Sequence, residues 1–313
     1  MHILLTGSSG AVGSGVLLHL LEQNHTVVAL DIVPLPERLL SQIPASSSSR
    51  LSTHVMDLCD FKPLDDLFSS SKPFDGVIHL SAIPHPIGSD PRTVHNNNVT
   101  SSYNVLTTAV MYGVKRIVQA SSVNAIGLTY TPEGLQRFEA LPLTEESPFV
   151  ELISALQMDS YALSKHVCEL QAASLCRVHP DLRIASLRFH MVRPDYASSW
   201  PDADPTSLYS WVSLDACARA CLQGITSSGW TGAEAFNIVA PEICWEGGLT
   251  KESQRKQGEP EAELLGTLEV LESQWKGRYD LGKLDKGWWE GRPRRALWDC
   301  SKAERMLGWK HDL

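Results

Sequence analysis

Thr6-Gly7-Ser8-Ser9-Gly10-Ala11-Val12-Gly13 decides the fold. Its three glycines fall three apart, directly after the apolar run His2 to Thr6 and directly before the apolar helical stretch Ser14 to Gln23. A strand that turns at once into a helix needs a residue tolerating positive φ, and a first-turn glycine lets helix and strand approach closely. The helix N-terminus then presents unpaired N–H groups and a positive dipole end, a ready seat for phosphate. The pattern predicts a strand–turn–helix unit built to hold a dinucleotide pyrophosphate.

Outward from that unit, short Val- and Ile-rich runs alternate with helix-length segments. Strands are predicted at His2 to Thr6, Thr26 to Asp31, Ser52 to Met56, Gly76 to Leu80, Arg116 to Ala120, Arg183 to Phe189 and Ala235 to Val239. Further helices are predicted at Asn98 to Tyr112, Asp159 to Val178 and Leu214 to Ile225, and Ala45 to Ser49 reads as a surface loop. The alternation predicts an α/β chain with a Rossmann doubly wound parallel sheet. After Phe189, and again after Pro241, the texture shifts to Pro, Asp, Gly and Trp. The expected organisation is a nucleotide-binding domain of residues 1–189 plus 211–240 and a small C-terminal substrate-binding lobe of 190–210 plus 241–313.

Asp31 closes the second strand about 20 residues beyond the glycines, where a carboxylate accepts hydrogen bonds from adenosine ribose hydroxyls and repels a 2'-phosphate. No Arg or Lys follows before Arg38, so the cofactor indicated is NAD rather than NADP. Asp57-Leu58, after the third strand, is placed to touch the adenine. At the reacting end, Tyr161-Ala162-Leu163-Ser164-Lys165 sets a phenol and an ammonium on one helix face. The cation favours the phenolate, which makes Tyr161 a candidate proton carrier. The spacing alone discriminates little, since Tyr279 and Lys283 share it, but Gly282 and its surroundings argue against a helix there. Ser122, at the end of the fifth strand, can donate a hydrogen bond to a substrate oxygen beside Tyr161.

Taken in order, Gly7, Gly10 and Gly13, then Asp31, Asp57, His79-Leu80-Ser81-Ala82, Asn98, Ser121-Ser122, and Tyr161 with Lys165 resemble the extended short-chain dehydrogenase/reductases, the NAD-dependent epimerase and dehydratase relatives, over most of the chain. The resemblance implies that Ser122, Tyr161 and Lys165 are catalytic. It implies that Leu80, Ser81 and Ala82 line the cofactor channel, that Asn98 orders Lys165 through its helix from the cofactor side, and that two chains pair through the Asn98 to Tyr112 and Asp159 to Val178 helices. Ser121-Ser122 with Ile126-Gly127, and Ser210-Trp211-Val212-Ser213, look most like uronate dehydrogenases. The chain departs from them at Val123-Asn124 and near Thr206-Ser207, where their carboxylate-gripping arginine is replaced. A uronate substrate would need Arg188 or Arg193 as a substitute clamp.

His85, Asn124 and Arg193 are the candidate substrate contacts, all on segments leaving strand ends. Trp288, Trp289 and Trp298 read as lobe packing. A net charge of -9 with no basic stripe argues against nucleic acid and anionic membranes, leaving a small molecule as the partner. No run reaches the length needed to span a bilayer. Seven cysteines with no C-x-x-C pair read as reduced thiols, with no metal expected, and the immediate start on a strand suggests a cytoplasmic protein. The favoured activity is NAD-dependent interconversion of a secondary alcohol and ketone on a sugar or other polar metabolite. The alternatives are an NAD-retaining epimerase and a non-enzymatic NAD-binding protein.

Overall fold

Seven parallel strands form the central sheet of the computed structural model, which describes residues 1–127, 130, 138–149, 159–246, 265–275 and 281–311. In chain order the elements that position the site are β1 (His2–Thr6), α1 (Ala11–Glu22), β2 (Thr26–Asp31), α2 (Glu37–Leu40), β3 (Leu51–Val55), α3 (Phe61–Ser70), β4 (Gly76–His79), α4 (Pro91–Met111) and β5 (Arg116–Ser122). There follow β6 (Ala140–Leu141), α5 (Ser160–Val178), β7 (Arg183–Phe189), β8 (Val192–Arg193), β9 (Val212–Ser213), α6 (Leu214–Thr226) and β10 (Gly232–Ile238). The chain closes with α7 (Thr267–Trp275), β11 (Lys283–Leu284) and α8 (Ser301–Leu307).

The sheet order is β10-β7-β5-β4-β1-β2-β3. Strand order reverses between β1 and β4, and an open parallel sheet leaves a crevice outside the carboxyl ends of the strands at such a reversal. All seven expected strands form; β1, β2, β4, β5 and β7 bury Val, Ile and Leu side chains against packed helices on both sides, whereas Ser52 to Val55 of the edge strand β3 are exposed. One face carries α1, α6 and α8 over Ile3, Leu5, Val118 and Leu187. The other carries α3, α4 and α5 over Leu4, Val77, Ile117 and Ile184.

Helix α3 answers to no expectation above. Asp60 caps it by accepting from the N–H of Lys62, and Leu64, Leu67 and Phe68 supply a narrow buried stripe between charged neighbours. The surface stretch at Ala45 to Ser49 forms a 3-10 turn, Ala45–Arg50, after Pro44. Tyr279 lies outside the described residues, while Lys283 begins the short strand β11, paired with β6, so this copy of the spacing is not helical at its lysine end.

A second core sits over the carboxyl edge. Tyr209, Trp245, Trp275, Trp289 and Trp298 pack there with Leu141, Leu143 and Leu297. Phe138 also joins this second core, whereas Leu307 and Trp309 join the main one, where the Trp309 indole donates to the Ala216 carbonyl at 2.9 Å.

Candidate active site

The glycine turn works by close approach. Gly7 has φ +72°, and a Cβ there would lie 2.7 Å from the Leu80 carbonyl carbon and from the Ser81 nitrogen. At Gly13 a Cβ would fall 1.9 Å from the Gly7 carbonyl oxygen, so the first turn of α1 rests directly on the turn. Gly10 caps α1 with no side-chain acceptor, leaving first-turn N–H groups for a ligand. The turn can close this tightly against Leu80, Ser81 and the first turn of α1 because Gly7 and Gly13 carry no side chain. The Asp31 carboxylate accepts from the N–H of Ser9 at 2.9 Å and from that of Ile32 at 2.7 Å, so it braces the turn as well as facing the cleft.

A cavity of about 520 Å³ opens beside this turn. Gly7, Gly10, Asp31, Asp57 and Leu58 line it together with Leu80, Ser81 and Ala82. A second cavity of about 760 Å³ shares Leu80, Ala82 and Pro84 with it and runs on to Ser122, Tyr161 and Lys165. The two make one path along the carboxyl edge of the sheet, with dimensions and lining suited to an extended dinucleotide.

Two expected cofactor contacts sit elsewhere. Gly13 is packed behind the turn. Asn98 is 2% exposed and clamps the chain: its Oδ1 accepts from the Ile83 N–H at 2.8 Å, while its Nδ2 donates to the Ile83 carbonyl and to Ser164 Oγ at 3.0 Å. With its polar atoms occupied, Asn98 ties the loop after β4 to the helix turn carrying Lys165, and it does not line the cleft.

Tyr161 is buried and hydrogen-bonded to Ser122. Burial pushes its phenol up, partly offset by the Ser122 bond, so the ring is neutral at pH 7. The Ser122 oxygen also accepts from the Asn124 N–H at 3.1 Å, so the hydroxyl that bonds the phenol is held in place from the backbone side. The Lys165 ammonium donates to the Ala120 carbonyl at 2.7 Å and stands 5.7 Å from the Tyr161 ring centre. Asp159 caps α5 by accepting from the N–H groups of Tyr161 at 2.8 Å and Ala162 at 2.9 Å, which fixes the ring's position.

The proposed substrate contacts His85, Asn124 and Arg193 all line the larger cavity. Arg193 is paired with Asp202 at 2.9 Å. Arg188, the other candidate clamp, is 3% exposed and grips Glu169 with two bonds, Nε to Oε1 at 2.9 Å and Nη2 to Oε2 at 2.8 Å. It is unavailable to a substrate carboxylate. Sequence reasoning missed Tyr130, whose ring meets Tyr161 edge-on at 6.3 Å, and His190, which lines the cavity floor and bonds the Ser207 carbonyl. Burial lowers His190 to about 4. Neither belongs to a motif; only proximity to a strand end marks His190.

The model of the NAD dependent epimerase/dehydratase family matches residues 3–213. UDP-glucose 4-epimerase of Caenorhabditis elegans is 28% identical over 201 residues, covering 60% of this chain and 53% of that protein. UDP-glucose 4-epimerase 2 of Arabidopsis thaliana is 29% identical over 210 residues, covering 65% and 55%. The chain spans about half the length of the curated relatives it matches. Among solved structures, the UDP-Glc/GlcNAc 4-epimerase of Campylobacter jejuni superposes with a TM-score of 0.68 at 18% identity, over 100% of this chain and 94% of that one. Glucuronic acid dehydrogenase of Chromohalobacter salexigens gives 0.62 at 22% identity, over 100% and 84%. The structural likenesses establish the fold, and the family model, reaching from the first strand through Tyr161 and Lys165 to Ser213, establishes the lineage: the chain belongs to the NAD dependent epimerase/dehydratase family.

Proposed function

We propose that this chain is an NAD-dependent oxidoreductase that interconverts a secondary alcohol and a ketone on a sugar or other polar small molecule. The observation that carries the reading is the convergence of Ser122, Tyr161 and Lys165 on a cavity continuous with the cradle of Gly7 and Asp31. Gly7, Gly10 and the start of α1 would hold the pyrophosphate, Asp31 the adenosine ribose, and Lys165 the nicotinamide ribose. NAD, when bound, supplies the hydride acceptor or donor.

Ser122 donates its proton to the substrate oxygen and holds it beside the phenol. In the reducing direction Tyr161, neutral at pH 7 through burial, gives its proton to the oxygen that becomes the alcohol. In the oxidising direction Tyr161 must first lose that proton, and the buried Lys165 charge is the group that favours its loss. Leu80 and Ala82 wall the junction of the two cavities and limit water there. Pairing of two chains through α4 and α5 belongs to the same proposal, supported by exposed Tyr103 and Met111 on one helix and Leu170 and Val178 on the other.

The sequence likeness to UDP-glucose 4-epimerases favours a second reading, in which the same residues oxidise a substrate and reduce it again on retained cofactor. One assay separates the two: incubation of the protein with NAD+ and a panel of polyols, sugars and nucleotide sugars, followed at 340 nm and by product analysis. Net NADH that Tyr161→Phe abolishes supports the oxidoreductase. An epimerised product without NADH supports the second reading, and neither across the panel, with NAD+ bound, counts against both.

A further inference from the structure

Behind the reacting groups lies a buried ionic chain that no step above uses. Glu169 follows Lys165 by four residues, and Lys165 follows Tyr161 by four, so the three side chains stack along one face of α5. Glu169 Oε1 accepts from the Ser121 hydroxyl at 2.6 Å, next to Ser122, and both its oxygens are held by Arg188. Arg188 is Ser121's register partner across β5 and β7, and its remaining arm donates to the Glu145 carbonyl at 3.3 Å. A carboxylate fixed this firmly has a defined position relative to Lys165.

We propose that Glu169 is a positioning residue for the site: anchored by Arg188 and Ser121, its carboxylate is the counter-charge that holds the buried Lys165 ammonium, and it pins the Ser121–Ser122 strand end against the helix carrying Tyr161. The inference rests on the roles given above to Tyr161 and Lys165.

The surroundings of Lys165 make the charge count explicit. Its titratable neighbours are Tyr161, Cys168 and Glu169 on its own helix and His79 from β4. Burial keeps the Tyr161 phenol and the Cys168 thiol protonated at neutral pH, and lowers His79 to about 3, leaving that ring neutral. Strand β5 offers Lys165 only the Ala120 carbonyl, and the Arg188 charge lies on the far side of Glu169. Among the described residues, Glu169 is therefore the nearby group that is negatively charged at neutral pH and acts on Lys165 through space, with no direct ion pair joining the two. Burial lowers the Lys165 ammonium, and charge on Glu169 opposes that effect. Were Lys165 to lose its proton near neutral pH, the cation needed to favour the Tyr161 phenolate would vanish.

The test is an NMR titration of protein labelled with 13C at lysine Cε, the Lys165 signal being assigned through Lys165→Met. In Glu169→Gln the Lys165 midpoint should fall by about one pH unit relative to the natural chain, the scale of removing one nearby opposite charge. Glu169→Gln leaves Arg188 buried without its partner and risks unfolding, so the double variant Arg188→Met with Glu169→Leu is titrated too, because replacing both members of a buried pair by apolar groups is tolerated; there the more distant cation is removed with the carboxylate, so the midpoint should fall by less. A lower midpoint in whichever variant folds supports the proposal. An unchanged midpoint in a folded variant overturns it and leaves the pair a packing feature. Calorimetry with NAD+ on the unsubstituted protein reads the proposed function separately: absence of binding there would contradict that reading without altering the lysine titration.

Discussion

Asn124 Nδ2 donates to Asp159 Oδ2 at 3.2 Å, joining the turn that follows Ser122 to the cap of the helix that carries Tyr161. The two residues are 35 apart in sequence, yet the bond makes one rigid piece of the serine and the tyrosine. Asp159 thus serves twice, since its other oxygen accepts from the N–H groups of Tyr161 and Ala162.

Asp159→Ala should therefore cost about 1–2 kcal/mol through the lost cap and should lower turnover beyond what that loss explains. Asp159→Asn, which retains an acceptor for the cap, should recover most of the stability. Urea denaturation of the two variants beside the parent checks the first part, and turnover of the same samples checks the second. Equal midpoints for Asp159→Ala and the parent would show that the cap contributes nothing.

Gly13→Ala places a methyl group 1.9 Å from the Gly7 carbonyl oxygen, against backbone that cannot swing aside. Overpacking of this kind costs about 1–3 kcal/mol, and here the strain falls on the phosphate cradle. Gly10→Ala brings its methyl only to 3.3 Å from the same oxygen and should be the milder change. Thermal melting and NAD+ titration of both variants test the order. A Gly10→Ala protein more impaired in stability than Gly13→Ala would mean that the turn is not packed as described.

His190 is neutral in the folded chain because burial lowers it to about 4 from an ordinary value of 6.5. In the window between those values the unfolded chain binds the extra proton, so stability rises with pH across it and is lost as pH falls from 6.5 towards 4. The full loss is about 3 kcal/mol from this group. His190→Asn, which can still donate to the Ser207 carbonyl, should show a shallower decline over that window when unfolding free energy is measured from pH 7 to 4. Identical slopes for variant and parent would contradict a buried neutral His190.

Much of the architecture was legible because it rests on local rules. Near-continuous apolar runs such as Gly76-Val77-Ile78-His79 mark strands buried on both faces, and the glycine turn marks the first crossover. Helix α3 escaped notice because its apolar stripe is only three residues wide among charges. The candidate site was legible where the proposed chemistry demands a fixed spacing, as with Tyr161 and Lys165. It was illegible where partners come from distant strands: Arg188 read as a spare substrate clamp until Glu169, 19 residues earlier, proved to hold it. The i+4 step from Lys165 to Glu169 was the available clue. Asn98 acts on the helix turn before Lys165 through Ser164, while its bonds to Ile83 are set by packing rather than by motif. The second core, built on scattered tryptophans, has no period to read.

The central claim is that the path from Gly7 to Tyr161 is a dinucleotide site selective for NAD. Calorimetric titration of cofactor-stripped protein with NAD+ and with NADP+, repeated on Asp31→Ala, tests it most directly. The account predicts saturable NAD+ binding, weaker NADP+ binding, and a loss of NAD+ affinity in Asp31→Ala, which removes both the ribose acceptor and the brace on the Ser9 N–H. Folded protein that binds neither nucleotide would contradict the account.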